Sequence, residues 1–321
     1  MAVLVKKFGG SSVATPEKIY RLVDRVLREK TPEDKIVIVV SAMGDTTDDL
    51  LTLAGRISAH LPKREMDMLL ATGEQVSIAL LASAFMERGQ KAVSFTGPQA
   101  GIRTNSQHTK AGILEVKAER VQKALDEGNI VIVAGFQGAT EDGDITTLGR
   151  GGSDTTAVAI AAGLQADICE IYTDVDGVYT ADPRIVPEAR KLKEITFSEM
   201  LELARLGAGV MQPRAVEYGE HNGVDIHVRS TFSQEPGTII RREYTVEEKE
   251  FVIRGVTSDI NVAKITVNGV PDVPGAAYRI FDALAKANIT VDMIVQSSSK
   301  DNSRNDIVFT VTKSDLGDAI E

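Results

Sequence analysis

Short runs of β-branched and other apolar residues alternate with longer helical patterns along the first two thirds of the chain. The apolar runs predict five strands, over residues 3–8, 35–40, 92–96, 130–134 and 168–173. Strands that alternate with helices are typical of a mainly parallel sheet, because each parallel connection crosses back through a helix. We therefore predict an α/β fold, built as a three-layer α/β/α sandwich, for this part of the chain.

The helical patterns around these strands have recognisable start and stop signals. Thr15 and Pro16 join a capping residue to a proline at the first helical position, which predicts a helix over 16–30. A second long helix is predicted over 65–88, with an interruption at Gly73. The remaining predictions for this part are a hairpin, two helices and a last strand, over 136–148, 197–205, 210–221 and 225–229.

The alternating apolar pattern gives way to the charged run RREYTVEEKE over 241–250, which we interpret as a linker between domains. Beyond it, the pattern predicts a strand, a helix and two strands, over 264–267, 275–288, 291–297 and 306–312. This β-α-β-β order fits the start of a ferredoxin-like module, in which residues 314–321 begin a second helix. The predicted domains are 1–243, a linker with a first strand over 244–263, and an incomplete module over 264–321.

Composition and charge narrow the class of function. With 321 residues, 43% of them hydrophobic, the chain is long enough to bury a sizeable core. The net charge of −10 and the lack of a basic block argue against a nucleic-acid partner. The sequence has neither an apolar run of roughly 18 residues nor a signal-peptide layout, so we expect a cytoplasmic protein without membrane contact. Cys169 is expected in a buried strand, and the four histidines lack metal-ligand spacing.

The stretch TTLGRGGSDTTAVAIAAG at 146–163 combines three kinds of chemistry in one turn. Its glycines let backbone N–H groups approach an anion, Arg150 offers a planar fork to a carboxylate or phosphate, and Asp154 adds a negative charge. The small apolar residues that follow predict a helix that is capped by Ser153 or Asp154. An anion site and an ordinary capped strand-to-helix loop explain these residues equally well.

Two more loops place glycine or hydroxyl groups at the end of a predicted strand. Lys7 ends the first strand before the turn Gly9-Gly10, which has neither the Walker A nor the dinucleotide-binding spacing. The segment SAMGDTTDD at 41–49 follows the second strand and brings hydroxyl groups to the start of a helix. Taken alone, the first loop is more simply a tight turn with a surface lysine. The second serves helix capping as well as it serves substrate binding.

Two further candidates for ligand binding are charged: Glu74 and the segment TDVDGVYTADPR at 173–184. Glu74 lies in an apolar helical region, where a carboxylate is either a solvated group or a partner for a substrate ammonium. The segment 173–184 lacks the acid series of an EF-hand, and a long loop at a strand end is better interpreted as a nucleotide clamp. Four such loops follow predicted parallel strands, whose carboxyl ends gather ligands, so together they favour an active site.

Taken in order, these motifs resemble the signature stretches of the aspartokinases, in the amino-acid kinase superfamily. The matching stretches are KFGGSS at 7–12, SAMGDTTD at 41–48, GFQG at 135–138, TTLGRGGSDTTA at 146–157 and YTDVDGVYTADPR at 172–184. The segment 270–296 resembles the first of the two regulatory ACT modules of these enzymes. The resemblance implies transfer of the γ-phosphoryl group of ATP, with Mg²⁺, to the side-chain carboxylate of L-aspartate, at the start of lysine, threonine and methionine biosynthesis.

The resemblance also implies a role for each matching residue. Lys7 and Asp154 would be catalytic, with Asp154 organising the lysine and the metal rather than acting as a base. L-aspartate would be bound by Ser41, Thr47, Glu74, Arg150, Gly151, Gly152 and Ser153. ATP would be bound by Lys7, Phe8, Gly9, Gly10, Thr173, Asp174, Tyr179, Asp182 and Arg184. Lysine or threonine, as feedback effector, would be bound by Asp272, Pro274, Gly275, Ala276, Ala277 and Gln296.

Three features depart from the family pattern. Many relatives carry a lysine and a histidine in a GAKVLHPR-like stretch, where this chain has Gly209 and Gln212. The second ACT module, whose sheet would receive the strand 251–256, lies outside the sequence. Some relatives also make a separate small subunit by starting translation inside the gene, just before the regulatory region. No methionine lies between Met211 and Met293, so such a start would need another codon, and we expect a homo-oligomer. The alternatives are another acid kinase, acting on glutamate or acetylglutamate, and a non-catalytic amino-acid sensor.

Overall fold

The computed structural model of the chain describes residues 3–58, 60–166, 168–244, 253–287, 289–298 and 304–321. The chain folds as two compact units, Met1–Thr257 and Ser258–Glu321. The strands of the first unit are β1 (Val3–Phe8), β2 (Lys35–Val40), β3 (Ala92–Phe95), β4 (Ile102–Thr104), β5 (Ile113–Val116), β6 (Ile130–Ala134), β7 (Gln137–Ala139), β8 (Ile145–Thr147), β9 (Ile168–Thr173), β10 (Glu194–Thr196), β11 (Asp225–Ser230) and β12 (Thr238–Arg241). Its helices are α1 (Pro16–Glu29), α2 (Thr46–Ile57), α3 (Lys63–Glu87), α4 (Glu119–Asp126), α5 (Gly152–Gly163), α6 (Phe197–Arg205) and α7 (Pro213–Asn222).

Eight strands form one sheet in the order β10-β12-β11-β9-β1-β2-β6-β3. Neighbouring strands pair in parallel, except that β12 runs antiparallel to β11. Helices cover both faces, so β2 and β6 are buried on both sides, and this is why the sequence shows them as unbroken apolar runs. Val37 and Val39 belong to the core on one face, and Ile36 and Ile38 to the core on the other. The predicted α/β/α sandwich and its five parallel strands are confirmed.

Helix α3 differs from its prediction because it runs without interruption through Gly73. A Cβ on Gly73 would lie 2.9 Å from the Cβ of Ala42, so the glycine permits a close approach by the loop after β2 instead of breaking the helix. By length and composition, α3 is the one described helix that is apolar enough to cross a membrane. It contacts β3, β6 and β8, and 11 of its residues are buried, as expected of a core helix.

A second, four-stranded sheet with the order β5-β4-β7-β8 was missed by the sequence, apart from its β7–β8 hairpin. The hairpin turns between Thr140 and Asp144, as predicted. Helix α7 begins at Pro213 rather than near 210, because a proline at the first helical position starts the helix. The strands β10 and β12, at one end of the large sheet, have three and four residues, which is too short to show a hydrophobic period.

The second unit contains β13 (Val262–Pro271), α8 (Ala276–Lys286), β14 (Ile294–Ser298), β15 (Arg304–Thr312) and α9 (Leu316–Ile320). Its antiparallel sheet has the order β13-β15-β14, which agrees with the predicted β-α-β-β pattern. Ile307, Phe309 and Val311 form its small core with the apolar side of α8. The predicted strand over 251–256 falls partly on residues outside the described ranges, and residues 253–259 have no regular secondary structure.

Candidate active site

Parallel pairing brings the ends of four strands to one edge of the large sheet. Phe8 of β1 pairs with Val40 of β2 and with Tyr172 of β9, while Val40 pairs with Ala134 of β6. These four residues stand at or next to the ends of their strands, so the loops that follow them start side by side. The loops after β1, β2 and β9 therefore gather at this edge as predicted. The fourth predicted loop differs, because residues 148–151 follow β8, which pairs antiparallel with β7 in the smaller sheet.

Lys7 and Asp154 meet at this edge. Lys7 is the penultimate residue of β1, and Asp154 lies in the first turn of α5, which contacts β1. Lys7 Nζ lies 2.6 Å from Asp154 Oδ1, and both side chains are 12% exposed. The two groups form an ion pair without hydrogen-bond geometry. A fixed, partly buried cation at a strand end is suited to hold a negatively charged group.

The glycine turn after β1 is seated on the loop after β2. The N–H of Gly44 donates to the carbonyl of Gly10 at 3.1 Å. A Cβ on Gly10 would lie 2.6 Å from the carbonyl oxygen of Ala42, so only glycine fits there. This close approach places the backbone of 9–10 beside Ser41 and leaves Gly9 next to the Lys7 side chain.

Hydroxyl groups from two other loops meet beside this turn. Ser41 Oγ donates to Ser153 Oγ at 3.0 Å, which joins the loop after β2 to the start of α5. A Cβ on Gly135 would lie 2.7 Å from Ser153 Oγ, so the loop after β6 also packs here. Thr47 is half-buried in the first turn of α2. The sheet edge therefore carries hydroxyls that can contact a small polar ligand.

Glu74 is buried near these hydroxyls with only part of its hydrogen-bonding capacity used. The N–H of Ala42 donates to Glu74 Oε1 at 3.1 Å, whereas Oε2 has no hydrogen-bond partner within the described residues. The residue is 2% exposed. Burial raises the pKa of Glu74 to about 7, because little compensates the carboxylate for its lost water. An unpartnered buried oxygen calls for a donor, and a ligand ammonium is one.

The loop 148–151 enters α5 through two left-handed glycines. Gly149 has φ 76° and Gly151 has φ 68°, and α5 begins directly after Gly151. The predicted caps Ser153 and Asp154 are therefore wrong, because the left-handed glycine turns the chain into the helix earlier and leaves both residues inside the first turn. Arg150 is exposed between the glycines, and no described residue forms a hydrogen bond or ion pair with its guanidinium.

The other predicted nucleotide residues lie at the end of β9, next to β1 in the sheet, and on the long loop that leaves it. Thr173 Oγ1 donates to Asp174 Oδ1 at 3.0 Å, and the exposed Arg184 pairs with Asp182 at 2.7 Å. The hydrogen bond from Arg184 lowers the pKa of Asp182. Tyr179 donates to Asp176. These side chains pair within their own loop, and their polar groups are accessible to a ligand.

The structure brings two further residues, which the sequence did not single out, to the end of β8 and the loop 148–151. Arg214 donates to the carbonyl of Leu148, and the side chain of Asp67 accepts from Thr147. Gln212, identified only as a departure from the family pattern, lies against Gly151. A buried Asp in an apolar helix was a usable signal for Asp67, since such a carboxylate needs partners.

The predicted effector residues lie in the second unit. Most of them occupy the turn from β13 into α8, where Gly275 has φ 88° and caps the helix, and Gln296 lies on β14. The remaining predicted effector residues are Asp272, Pro274, Ala276 and Ala277.

Across the described ranges, no group of three or more His, Cys, Asp or Glu side chains forms a metal site.

Comparison with known proteins adds the following. A family profile described as the amino acid kinase family matches residues 2–230, and a profile described as an ACT domain matches residues 265–321. The aspartokinase of Mycolicibacterium smegmatis is 52% identical over 324 residues, covering 100% of this chain and 77% of that protein. The chain thus spans about three quarters of this curated relative.

Two solved proteins share the fold. The aspartate kinase of Synechocystis has 46% identity and a TM-score of 0.68, covering 99% of this chain and 54% of that one. E. coli aspartokinase III in complex with aspartate and ADP, in the R-state, has 27% identity and a TM-score of 0.81, covering 98% and 79%. The same enzyme in complex with lysine and aspartate, in the T-state, has 26% identity and a TM-score of 0.78, covering 99% and 83%.

Proposed function

This chain belongs to the aspartokinase family, and on that premise we propose which role each residue at the sheet edge has in the phosphorylation of L-aspartate. The reaction transfers the γ-phosphoryl group of ATP to the side-chain carboxylate of L-aspartate, giving ADP and 4-phospho-L-aspartate. It starts the biosynthesis of lysine, threonine and methionine. The attacking carboxylate is already ionised near neutral pH, so the site has to position charges rather than remove a proton.

Lys7 is the catalytic cation in this proposal. Phosphoryl transfer spreads negative charge over the oxygens of the moving group, and a cation fixed in advance stabilises that charge without reorganisation. The ion pair with Asp154 holds the Lys7 ammonium in place. The N–H groups of Gly9 and Gly10 are the accompanying backbone donors, and Phe8 positions this turn at the end of β1.

Substrate aspartate carries an ammonium and two carboxylates, and each needs a partner of its own. The buried Glu74 accepts from the ammonium through Oε2, which lacks a partner in the described part of the chain. Arg150 binds the α-carboxylate, because its guanidinium forms a planar fork and is not engaged by a described residue. The hydroxyl and backbone groups that complete the pocket are those of Ser41, Thr47, Gly151, Gly152 and Ser153.

ATP lies along the loop after β9, with its phosphates toward β1. The nucleotide residues are Thr173, Asp174, Tyr179, Asp182 and Arg184. Mg²⁺ accompanies the nucleotide, and Asp154 is the carboxylate suited to hold it, since one carboxylate with the phosphate oxygens is a common ligand set for this ion. When bound, the ion neutralises charge on the phosphates.

The observation that carries the proposal is the Lys7–Asp154 pair at the same sheet edge as the unpartnered Glu74. A coupled assay of ADP release, with ATP, Mg²⁺ and separately L-aspartate, L-glutamate or N-acetylglutamate, tests it. We expect ADP release that depends on aspartate. Absence of aspartate-dependent release at millimolar substrate would falsify the proposal. Release with another acid instead would indicate a different acid kinase, and lysine binding without turnover of any acid would indicate a sensor.

The role of Arg150 has its own test. Arg150→Ala should raise KM for aspartate about 10- to 100-fold with a smaller effect on kcat, because charged hydrogen bonds to substrate are lost. Arg184→Ala is the matched control, since it removes an exposed arginine from the nucleotide loop and should change KM for ATP instead. An unchanged KM for aspartate in Arg150→Ala would remove Arg150 from this role.

The second unit binds a feedback effector, lysine or threonine, through the turn of 272–277 and Gln296, and the chain assembles as a homo-oligomer. The ACT profile match and the lysine complex of the E. coli relative support the first point. We also propose a cytoplasmic location, as expected from the sequence. Isothermal titration with each amino acid and sedimentation of the purified chain measure effector choice and assembly.

A further inference from the structure

We propose that Arg214 and Asp67 are positioning residues for aspartate binding, which act by fastening the loop 105–112 to the end of β8 and the loop 148–151 that follows it. The inference rests on the proposed role of Arg150, because Arg150 lies on the second loop. The loop 105–112 connects β4 to β5 and carries none of the residues that the family pattern identifies. Two helices hold these segments together: α7 contributes Arg214, and α3 contributes Asp67.

Arg214, in the first turn of α7, bridges the two loops with one guanidinium. Its Nη1 donates to the carbonyl of Leu148 at 2.7 Å, and its Nη2 donates to the carbonyl of Ala111 at 2.8 Å. The N–H of Ala111 in turn donates to the carbonyl of Thr147 at 2.9 Å. The planar fork of arginine suits this arrangement, because two carbonyls at a fixed separation need two donors at a fixed separation.

Asp67, on α3, holds the same two loops from the other side. It is fully buried, and Thr147 Oγ1 donates to its Oδ1 at 2.5 Å. From the other loop, the N–H of Thr109 donates to both carboxylate oxygens at 3.0 Å, and His108 Nδ1 lies 2.8 Å from Oδ2. A buried carboxylate with this many partners fixes their relative positions tightly.

Backbone strain indicates that the arrangement serves more than folding. Thr109 has φ 70°, a left-handed conformation that is costly for a β-branched residue and persists only where the surroundings enforce it. The enforcing contact is the one from its N–H to Asp67. A Cβ on Gly149 would lie 3.0 Å from the carbonyl oxygen of Thr109, so the strained residue packs against the glycine that precedes Arg150.

The consequence for binding follows from entropy. A loop that is already fixed does not have to be ordered when substrate binds, so more of the contact energy is available for affinity. Arg214 and Asp67 touch the loop backbone and Thr147 rather than Arg150 itself, which makes them positioning residues. Loss of the contacts made by Arg214 or by Asp67 should therefore raise KM for aspartate and leave KM for ATP largely unaffected.

The central experiment compares steady-state kinetics of Arg214→Met with those of Arg205→Met. Arg205 ends α6, and its Nη2 pairs with Glu217 Oε1 of α7 at 2.6 Å, so the control removes an arginine that contacts the helix of Arg214 without touching the loops. For Arg214→Met we expect KM for aspartate to rise about tenfold, kcat to fall less, and KM for ATP to change by less than about twofold. The control should match the unaltered chain in all three constants.

Chemical rescue separates positioning from general support of the fold. Arg214 borders an open cavity of about 520 Å³ beside Tyr218 and His221, so a small cation has access to its place. Millimolar guanidinium should lower KM for aspartate in Arg214→Ala, and should have no such effect on Arg205→Ala. Arg214→Lys, which keeps the charge but lacks the fork, should have an intermediate KM. Asp67→Asn should also raise KM for aspartate selectively.

The outcomes are distinguishable from failure of the proposed function. If the unaltered chain releases no ADP with aspartate, the function itself is wrong. If the unaltered chain is active and Arg214→Met keeps its KM for aspartate, only the present inference is overturned. It is equally overturned if both KM values and kcat change together with the melting temperature and guanidinium restores nothing, because that pattern is a structural role.

Discussion

Strand β1 carries two consecutive lysines whose surroundings differ in kind. Because side chains alternate along a strand, Lys6 and Lys7 point to opposite faces of the sheet. Lys6 Nζ lies 2.6 Å from Glu170 Oε2 and 3.3 Å from Glu29 Oε2, and it also donates to the hydroxyl of Tyr172 at 3.3 Å. Lys7 has one ion-pair partner in the described part of the chain, Asp154.

The number of partners separates a structural cation from a functional one better than burial does. Side-chain exposure is low in both cases, at 5% for Lys6 and 12% for Lys7. An ammonium has three donors, and the partners of Lys6 are enough to use them all. Lys7 keeps donors for a ligand. Two identical residues, one position apart, thus have different surroundings because the sheet presents them to different neighbours, and we predict different roles for them.

The largest effect should come from Lys7. Lys7→Met should lower kcat about 10²–10³-fold, because the charge that stabilises the transferring phosphoryl group is lost. Asp154 loses its ion-pair partner in this variant, so circular dichroism melting should accompany the assay and kcat should be expressed per folded molecule. Lys7→Arg is the control that keeps the charge but alters its position. A Lys7→Met variant with normal kcat would erase the distinction between the two lysines.

The matched change on the other face should act on folding. Burial alone raises the pKa of Glu170, yet Lys6 and Arg229 outweigh it and hold that pKa below its usual range. Lys6→Met should therefore cost about 3 kcal/mol in the free energy of unfolding, because a buried carboxylate loses a partner. Urea unfolding at pH 7 measures this loss. The stabilisation exists above the unfolded pKa and disappears as the pH falls through the folded pKa, so the deficit should shrink in acid.

If the folded fraction of Lys6→Met lost activity as severely as Lys7→Met, the network around Lys6 would not be merely structural. We expect kcat per folded molecule to stay within about threefold of the unaltered chain. Active-site titration with a tightly bound nucleotide analogue supplies the folded fraction for this correction.

A smaller effect should follow pH through Glu74. The folded pKa of about 7 lies above the model-compound value of 4.5, so the native state binds this proton more tightly than the unfolded state. Glu74 should therefore reduce stability as the pH rises from about 4.5 to about 7. The ionised form is the one that accepts a substrate ammonium, so KM for aspartate should fall about tenfold from pH 6 to pH 8.

Glu74→Gln is the control for this pH dependence. It should flatten both the stability change and the KM change, because the amide does not titrate in this range. A KM profile that keeps its slope in Glu74→Gln would assign the titration to another group.

Much of the large sheet was readable from the sequence because its physical cause is local. Buried parallel strands need apolar side chains on both faces, so β1, β2, β6 and β9 are visible as apolar runs with the predicted bounds. Loops at their carboxyl ends follow from parallel pairing. The fold could accordingly be predicted, while the family and the aspartate kinase activity were predicted from the resemblance of the motifs to aspartokinases; the comparisons confirm all three.

What the sequence could not supply depends on contacts between distant positions. Asp67 and Thr147 are 80 residues apart, and Arg214 is 66 residues from Leu148, so neither contact is visible as a local pattern in the sequence. The cap of α5 was missed for a related reason. Ser153 and Asp154 have good capping chemistry, but the left-handed Gly151 starts the helix before them. The individual site assignments remain predictions.

The burial of α5 has a consequence for the timing of motion at the site. All ten residues from Gly152 to Ala161 are buried, so the helix that carries Asp154 is also a central part of the core. Its amide protons should therefore exchange with deuterium only when the core itself opens, in the slowest class of the molecule. The exposed turn around Asp182 and Arg184 should exchange orders of magnitude faster. In the proposed site, aspartate would then bind against a rigid helix. ATP would enter past a segment that opens and closes many times between successive openings of the core.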